Sequence, residues 1–267
     1  MRMALGIEYD GTAFCGWQTQ PGGCGVQDHL QAALSRFADA PIEVTAAGRT
    51  DAGVHATGQV VHFDTDAVRE NVSWVRGPNT FLDPRVRVVW AKTVPDDFHA
   101  RYSARSRTYH YLLLDDPVAP AALHDRVGWF HLPLDVGAMK YAAKSLVGEH
   151  DFSAFRDAQC QAKSPVRDVY EVRVERVRSL VIFTLRANAF LHHMVRNIVG
   201  SLVYVGAGRQ PETWLLELLE GRDRKLAAPT FAAEGLYLSA VEYDSAFALP
   251  AFRRNALLEV ARVVDGS

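Results

Sequence analysis

The stretch VYEVRVERVRSLVIFTLRA, residues 169–187, decides the fold class. Val172 and Val174 alternate with Arg173 and Glu175, and a second alternating run covers Val181 to Ala187. A period of two marks a strand with one buried face. The residues between the two runs are too few for the crossover that parallel strands need, so the pair reads as an antiparallel hairpin. The run after it changes period. His192 to Val205 repeats apolar residues at Val195, Ile198, Val199, Leu202 and Val205, the stripe of an amphipathic helix.

The same alternation of types extends to both ends of the chain. Ala4–Tyr9, Gln59–Phe63, Val86–Ala91, 106–114 and 235–243 read as strands. Val26, Leu30, Leu34 and Phe37 fall at helical spacing. Residues 137–148 read as a helix ending on Gly148, and 211–221 as a short helix opened by Pro211. DGTAFCGWQTQPGGCG (10–25) and GPNTFLDPR (77–85) are rich in turn residues and read as loops. Helices and hairpins mix without a βαβ rhythm, which predicts α+β with largely antiparallel pairing. Two lobes are expected, 1–104 and 105–267.

Composition narrows the class further. The chain has 267 residues, 48 % hydrophobic and 22 % charged. Those fractions exclude a disordered tail and a fibrous repeat. Its three cysteines, Cys15, Cys24 and Cys160, include no CxxC, so a zinc ribbon and a redox CxxC pair are excluded and reduced thiols are expected. No apolar run reaches the roughly 18 residues of a membrane span, and the N-terminus lacks a secretory core, so a soluble cytoplasmic protein is expected. Net charge is −2, with 9 basic and 12 acidic residues in 1–104 and 20 and 19 in 105–267. Composition alone argues mildly against a nucleic-acid partner; the grouped Arg101, Arg105 and Arg107, and Arg173, Arg176 and Arg178, suit phosphates but read more simply as base composition, and any RNA site is expected to be a local basic cleft.

The most unusual chemistry lies in AAGRTDAGVHATGQVVHF, residues 46–63. Arg49 and Asp51 stand two apart in a Gly-flanked loop that leads into a strand. A guanidinium beside a carboxylate favours its ionised form, in which it can act as nucleophile or base. The same R-x-D pattern also braces ordinary turns, and His55 nearby reads equally as a structural histidine. A P-loop, a dinucleotide-binding GxGxxG and a GxSxG elbow are all absent. His192 and His193 are adjacent; on a helix they would point about 100° apart and make no two-ligand face, so no metal is expected.

These blocks carry a resemblance. YDGTAFCGWQTQ (9–20), VQDHLQAAL (26–34), GRTDAGVHATGQVVHF (48–63), FHARYSARSRTYHYLL (98–113), GEHDFSAF (148–155) and FLHHMVRNIVGSLVYVG (190–206) resemble the tRNA pseudouridine synthase A family, in the family's order. The resemblance runs from residue 9 to about 238. It implies two α+β lobes sharing a mostly antiparallel mixed sheet, the pseudouridine synthase fold, with a basic cleft between them. It implies isomerisation of uridine to pseudouridine at positions 38, 39 and 40 of the tRNA anticodon stem-loop, by a homodimer without metal or organic cofactor.

Residue by residue, Asp51 matches the family's catalytic aspartate and Arg49 the arginine associated with the flipped-out nucleotide. Tyr109 matches the tyrosine packed on the target uracil, and Arg196 the basic partner of the aspartate. The closing block departs from the family: APTFAAEGLYL has Pro229 alone where two or more prolines usually precede GLYL. Asp10 and Trp17 are expected to shape the loop or face RNA. For the dimer contact, the 211–221 helix with Trp214 and the apolar segment 245–252 are candidates, with Trp214 equally readable as core. A binding module without chemistry and an Asp-dependent hydrolase are the competing classes; a pure RNA binder has no use for a carboxylate near phosphates, and a hydrolase would need an oxyanion site or a metal.

Overall fold

The computed structural model describes residues 1–252. They fall into two compact units. Among the described residues, the first holds 1–107 and 237–252; the second holds Thr108–Leu236. The final strand thus belongs with the N-terminal unit, whereas the sequence placed it with the C-terminal lobe. The remainder of the 105–267 lobe, 253–267, lies outside the described residues.

In the first unit, β1 (Arg2–Tyr9), α1 (Val26–Ala38), β2 (Thr45–Ala46), β3 (His55–Asp64), α2 (Asn71–Asn79) and β4 (Val86–Val94) follow in order. The second contains most of β5 (Ser106–Asp115), then β6 (Gly128–Phe130), α3 (Val136–Ala143), β7 (Gly148–Asp151), β8 (Val166–Val177), β9 (Leu180–Ala187), α4 (Met194–Gly206) and α5 (Trp214–Gly221); β10 (Leu236–Glu242) returns to the first.

The sheet of the first unit runs β4–β1–β3–β10, with β2 on β3. β1 is antiparallel to both β3 and β4, while β10 is parallel to β3. β1 is covered on both faces, not one: Met3, Ala4, Leu5 and Ile7 are all fully buried. Gly6 lies so close to the Trp90 indole that an added Cβ would sit 2.1 Å from its Nε1. α1 turns Val26, Leu30, Ala33 and Leu34 inward, and its first turn is closed by Asp28, whose carboxylate accepts the Gly25 N–H at 2.9 Å. In the second unit the order is β5–β9–β8–β7, with β6 parallel to β5. The hairpin expected at 169–187 is present: β8 and β9 pair antiparallel, Val172 facing Leu185 and Val174 facing Phe183, and Arg178 takes a left-handed conformation at the turn. Mixed, mostly antiparallel strands with helices packed on them confirm the α+β class.

Three local expectations are corrected. The stretch before GPNTFLDPR contains a helix, α2, which runs through Gly77 and Pro78; fully buried Trp74, edge-on to Phe37 at 5.1 Å and to Phe63 at 5.2 Å, overrides the poor propensity. α3 stops at Ala143 and does not reach Gly148, which instead opens β7 at φ +110°. Cys15 and Cys24 are not free thiols: they form a disulfide with Cα atoms 5.4 Å apart.

Buried histidine gives the first unit a pH dependence. His62 is 6 % exposed, and its Nδ1 accepts the Ala100 N–H at 3.1 Å. Burial, then His99 and Arg2, lower its pKa to about 4. The unfolded chain takes up this proton below about 6.5 while the folded chain refuses it until about 4. Stability is therefore intact above pH 6.5 and falls as pH drops toward 4, by up to roughly 3 kcal/mol at 1.36 kcal/mol per pKa unit. Urea midpoints measured across this range should shift less in His62→Gln than in the unsubstituted protein; parallel curves would exclude the effect.

Candidate active site

The Asp51 loop joins β2 to β3 in the first unit, and its backbone is held from several sides. Ala47 N–H donates to Val60 O at 2.8 Å, and the buried Gln59 side chain donates to Gly48 O at 2.8 Å. Buried Arg107 donates to Ala47 O at 3.0 Å. Thr50 is clamped twice: its hydroxyl meets the Tyr9 hydroxyl at 2.7 Å, and its carbonyl accepts the Trp17 N–H at 2.9 Å. Val54 N–H closes a turn onto Asp51 O at 3.1 Å, with Gly53 at φ +80°. Asp51 itself is partly buried and Arg49 is exposed. Fixing the chain on both sides of Asp51 holds its carboxylate in one place, as preorganisation requires of a site.

The glycines of the preceding loop explain that loop's sequence. An added Cβ on Gly11 would lie 2.1 Å from Val54 O, and one on Gly16 would lie 2.9 Å from Thr50 O and 3.1 Å from the Asp51 carbonyl carbon. The YDGT and CGW segments therefore pack backbone to backbone on the Asp51 loop. Asp10 caps its own turn by accepting the Thr12 N–H at 3.1 Å and also approaches His55 Nδ1 at 3.3 Å. His55 is buried, accepts the Gly11 N–H at 3.2 Å and stacks on Tyr237 at 4.5 Å. Its structural reading is the one the geometry supports. Trp17, 2 % exposed, is core and not RNA-facing.

Tyr109 and Arg196 belong to the second unit. Tyr109 sits on β5, 8 % exposed, edge-on to Phe190 at 5.1 Å, which fixes the plane of its ring. Arg196 lies in the first turn of α4, and its Nε donates to Phe231 O at 2.8 Å. The segment that departs from the family pattern is what holds it. Pro229 O fits against Gly200, at 2.5 Å from where a Cβ would be; Gly200 thus seats a backbone. Thr230 donates to Asn197 Oδ1 at 2.7 Å, Phe231 O receives Arg196, and Ala232 O accepts the Tyr111 hydroxyl at 3.0 Å. Asn197 is fully buried, also donates to Phe155 O at 2.8 Å and accepts from Arg224 at 3.0 Å. Sequence reasoning missed this hub, because no local pattern marks an asparagine whose partners lie up to 42 positions away.

The His192–His193 argument is also corrected. Both residues precede α4; His193 adopts φ +61°, and the two rings stack at 3.9 Å instead of diverging. Asp157 holds both, 2.9 Å from His193 Nδ1 and 3.4 Å from His192 Nδ1. Burial pushes the Asp157 carboxyl up, but the Gln159 N–H and the histidines outweigh it and leave its pKa below the usual range. Of the arginines offered as phosphate forks, Arg107 is committed to backbone carbonyls and Arg176 to a bidentate pair with the buried Asp115 at 2.7 and 2.5 Å. Arg105 pairs with Asp244, and Arg173 with Glu171 and Glu175 at 3.2 Å. Trp214 is 9 % exposed and stacked on Tyr204, so α5 uses it as core. Among the described residues no helix is long and apolar enough to cross a membrane.

The geometry can be set beside known proteins. A family model described as tRNA pseudouridine synthase matches residues 6–103 and 142–244. The tRNA pseudouridine synthase A of Burkholderia cenocepacia (strain HI2424) is 59 % identical over 250 residues, covering 94 % of this chain and 93 % of the relative. The enzyme of the same name from Burkholderia lata is 60 % identical over the same span, with the same coverage of each chain. A chain of a Cbf5–Nop10–Gar1 crystal structure shares 12 % identity at a TM-score of 0.34, covering 75 % of this chain and 45 % of that one. The matched segments include the Asp51 loop, Arg196 and the segment that secures it. The chain belongs to the tRNA pseudouridine synthase family, the isomerases that convert uridine to pseudouridine in tRNA.

Proposed function

We propose that the chain isomerises uridine at positions 38, 39 and 40 of the tRNA anticodon stem-loop, with Asp51 as the catalytic carboxylate. The observation that carries this reading is the Asp51 loop itself, a partly buried carboxylate on a backbone pinned at Ala47, Gly48, Thr50 and Val54. The reaction breaks C1′–N1 and makes C1′–C5. Electrons and atoms balance within the substrate, so the chemistry calls for no redox or group-carrying cofactor. A carboxylate can attack C1′ or the ring, or take the C2′ proton, and each route starts from the ionised form.

A stacked nucleotide must leave the helix first, which costs a few kcal/mol. Arg49, exposed on the same loop, fills the vacated gap. Tyr109, its plane fixed by Phe190, offers the detached uracil a flat surface on which to turn. Arg196 supplies positive charge that offsets the charge of the carboxylate and of the leaving base. Recognition of three adjacent positions in many tRNAs fits a reading of shape and backbone more than of base edges. The protein acts in the cytoplasm as a homodimer.

The test is a pseudouridine map of an unmodified tRNA transcript carrying uridines at 38, 39 and 40, incubated with the purified protein and no added metal. Conversion at these three sites is expected, and none at uridines of the acceptor arm. Conversion confined to other arms, or none at all, would remove the anticodon assignment. Light scattering of the same sample should return twice the chain mass; a monomer would remove the homodimer.

A further inference from the structure

We infer that Cys15 and Cys24 form a reversible modification site, at which a small-molecule disulfide of the glutathione class converts two thiols into a disulfide and stiffens the backbone beside Asp51. The inference rests on the reading of Asp51 as the catalytic carboxylate. The structure holds the pair in its oxidised form, with Cα atoms 5.4 Å apart across nine positions of sequence. Cys15 is exposed and Cys24 half-buried, so a soluble reagent can reach the first.

The pair closes a loop that returns on itself, touches the Asp51 loop and reaches α1 through Gln20 N–H to Asp28. Cys15 N–H donates to Cys24 O at 3.0 Å, Gly23 N–H to Gln20 O at 2.9 Å, and Gly22 and Gly23 turn the chain at φ +100° and +73°. Next to Cys15, Gly16 lies against the backbone of Thr50, Asp51 and Ala52, and Trp17 donates to Thr50 O. After Cys24, Val26 N–H returns to Gly16 O at 3.0 Å and opens α1. The cross-link therefore closes, from both ends, the segment whose Gly16 and Trp17 bear on the catalytic loop. Without it the hydrogen bonds remain, but the loop closure is no longer covalent and the Gly16–Trp17 contact opens more often.

The chemistry balances as two exchanges. The Cys15 thiolate attacks the small-molecule disulfide, forming a mixed disulfide and releasing one thiol. The Cys24 thiolate then attacks Cys15 Sγ, forming the internal disulfide and releasing the second thiol. Two protons leave the protein and two electrons pass to the reagent. A dithiol such as dithiothreitol reverses both steps.

The experiment uses the full chain in buffers of oxidised or reduced glutathione, with three readouts. Peptide mass should show loss of two hydrogens between Cys15 and Cys24 in the oxidised sample. Hydrogen exchange at the Trp17 amide, which donates to Thr50, should be at least tenfold slower in that sample. kcat on the tRNA transcript should be at least threefold higher in it. Cys15→Ser should abolish all three responses, while Cys160→Ser should keep them. An unchanged peptide mass, or a Trp17 amide that exchanges equally in both samples, overturns the inference. Equal and measurable turnover in both samples overturns its bearing on catalysis. Absence of turnover in both, with Trp17 still responding, would count against the synthase reading and leave the modification site standing.

Discussion

Asp51→Asn is expected to lower kcat for pseudouridine formation by at least about 10³-fold, roughly 4 kcal/mol at 1.36 kcal/mol per tenfold. Asparagine is nearly isosteric, so the loop contacts at Ala47, Gly48, Thr50 and Val54, none of which uses the Asp51 side chain, should persist. What is lost is the negative charge, and with it the nucleophile or base. tRNA affinity should stay within about threefold, or rise slightly, because a carboxylate near phosphates repels them. The measurement pairs a single-turnover assay at saturating enzyme with a filter-binding titration at one fixed salt concentration. A variant that keeps a tenth of the activity would show that Asp51 assists a different group. A variant that no longer binds would recast Asp51 as a structural member of its loop, the reading that R-x-D patterns often deserve.

How much of this was legible in sequence depends on the range of the interaction. The 169–187 hairpin was readable because its alternation and its short turn are local. α1 and α4 were readable for the same reason, their apolar stripes being set by 3.6-residue spacing. α2 was not, because its sequence contains Gly77 and Pro78 and its stability comes from Trp74 meeting Phe37 and Phe63 across the unit. α3 was drawn too long, since Gly148 is a natural helix stop but here opens a strand. For the site, the GRTDAGVHA motif pointed to Asp51 and Arg49, yet nothing local announced that Tyr9 and Trp17 would anchor Thr50. The histidine pair lies outside α4, which begins at Met194, so helical spacing does not describe it. The disulfide joins cysteines nine positions apart outside any CxxC, so no local pattern announces it.

Asn197→Ala is expected to be the most damaging substitution away from the reacting groups, costing roughly 3 kcal/mol of stability. One fully buried amide serves three partners: it donates to Phe155 O and accepts from Thr230 and Arg224. Alanine removes this partner from the fully buried Phe155 carbonyl, at about 1–3 kcal/mol, and opens a cavity, while the half-buried Thr230 hydroxyl keeps Arg224 at 3.2 Å. Arg224 loses less, because it also donates to Ala228 O at 2.9 Å. The neighbouring Ser201→Ala makes a calibrated comparison. Ser201 is equally buried but donates once, to Asn197 O at 2.9 Å, and its loss should cost about 1 kcal/mol. The activity effect follows from position. Thr230 fixes the 228–231 segment on α4, and the next residue, Phe231, holds the Arg196 guanidinium in place. Loosening that segment should lower kcat about tenfold with little change in KM if Arg196 has the role proposed for it, in the reaction more than in the initial encounter. Asn197→Asp keeps the acceptor for Thr230 and Arg224 and loses only the donor to Phe155 O, so it should recover most of kcat while remaining less stable. Urea midpoints and kcat for the three variants decide the matter. If Asn197→Ala and Ser201→Ala lost equal stability and both kept full kcat, the buried amide would be one packing contact among many, and Arg196 would be held by something other than the segment that Asn197 secures.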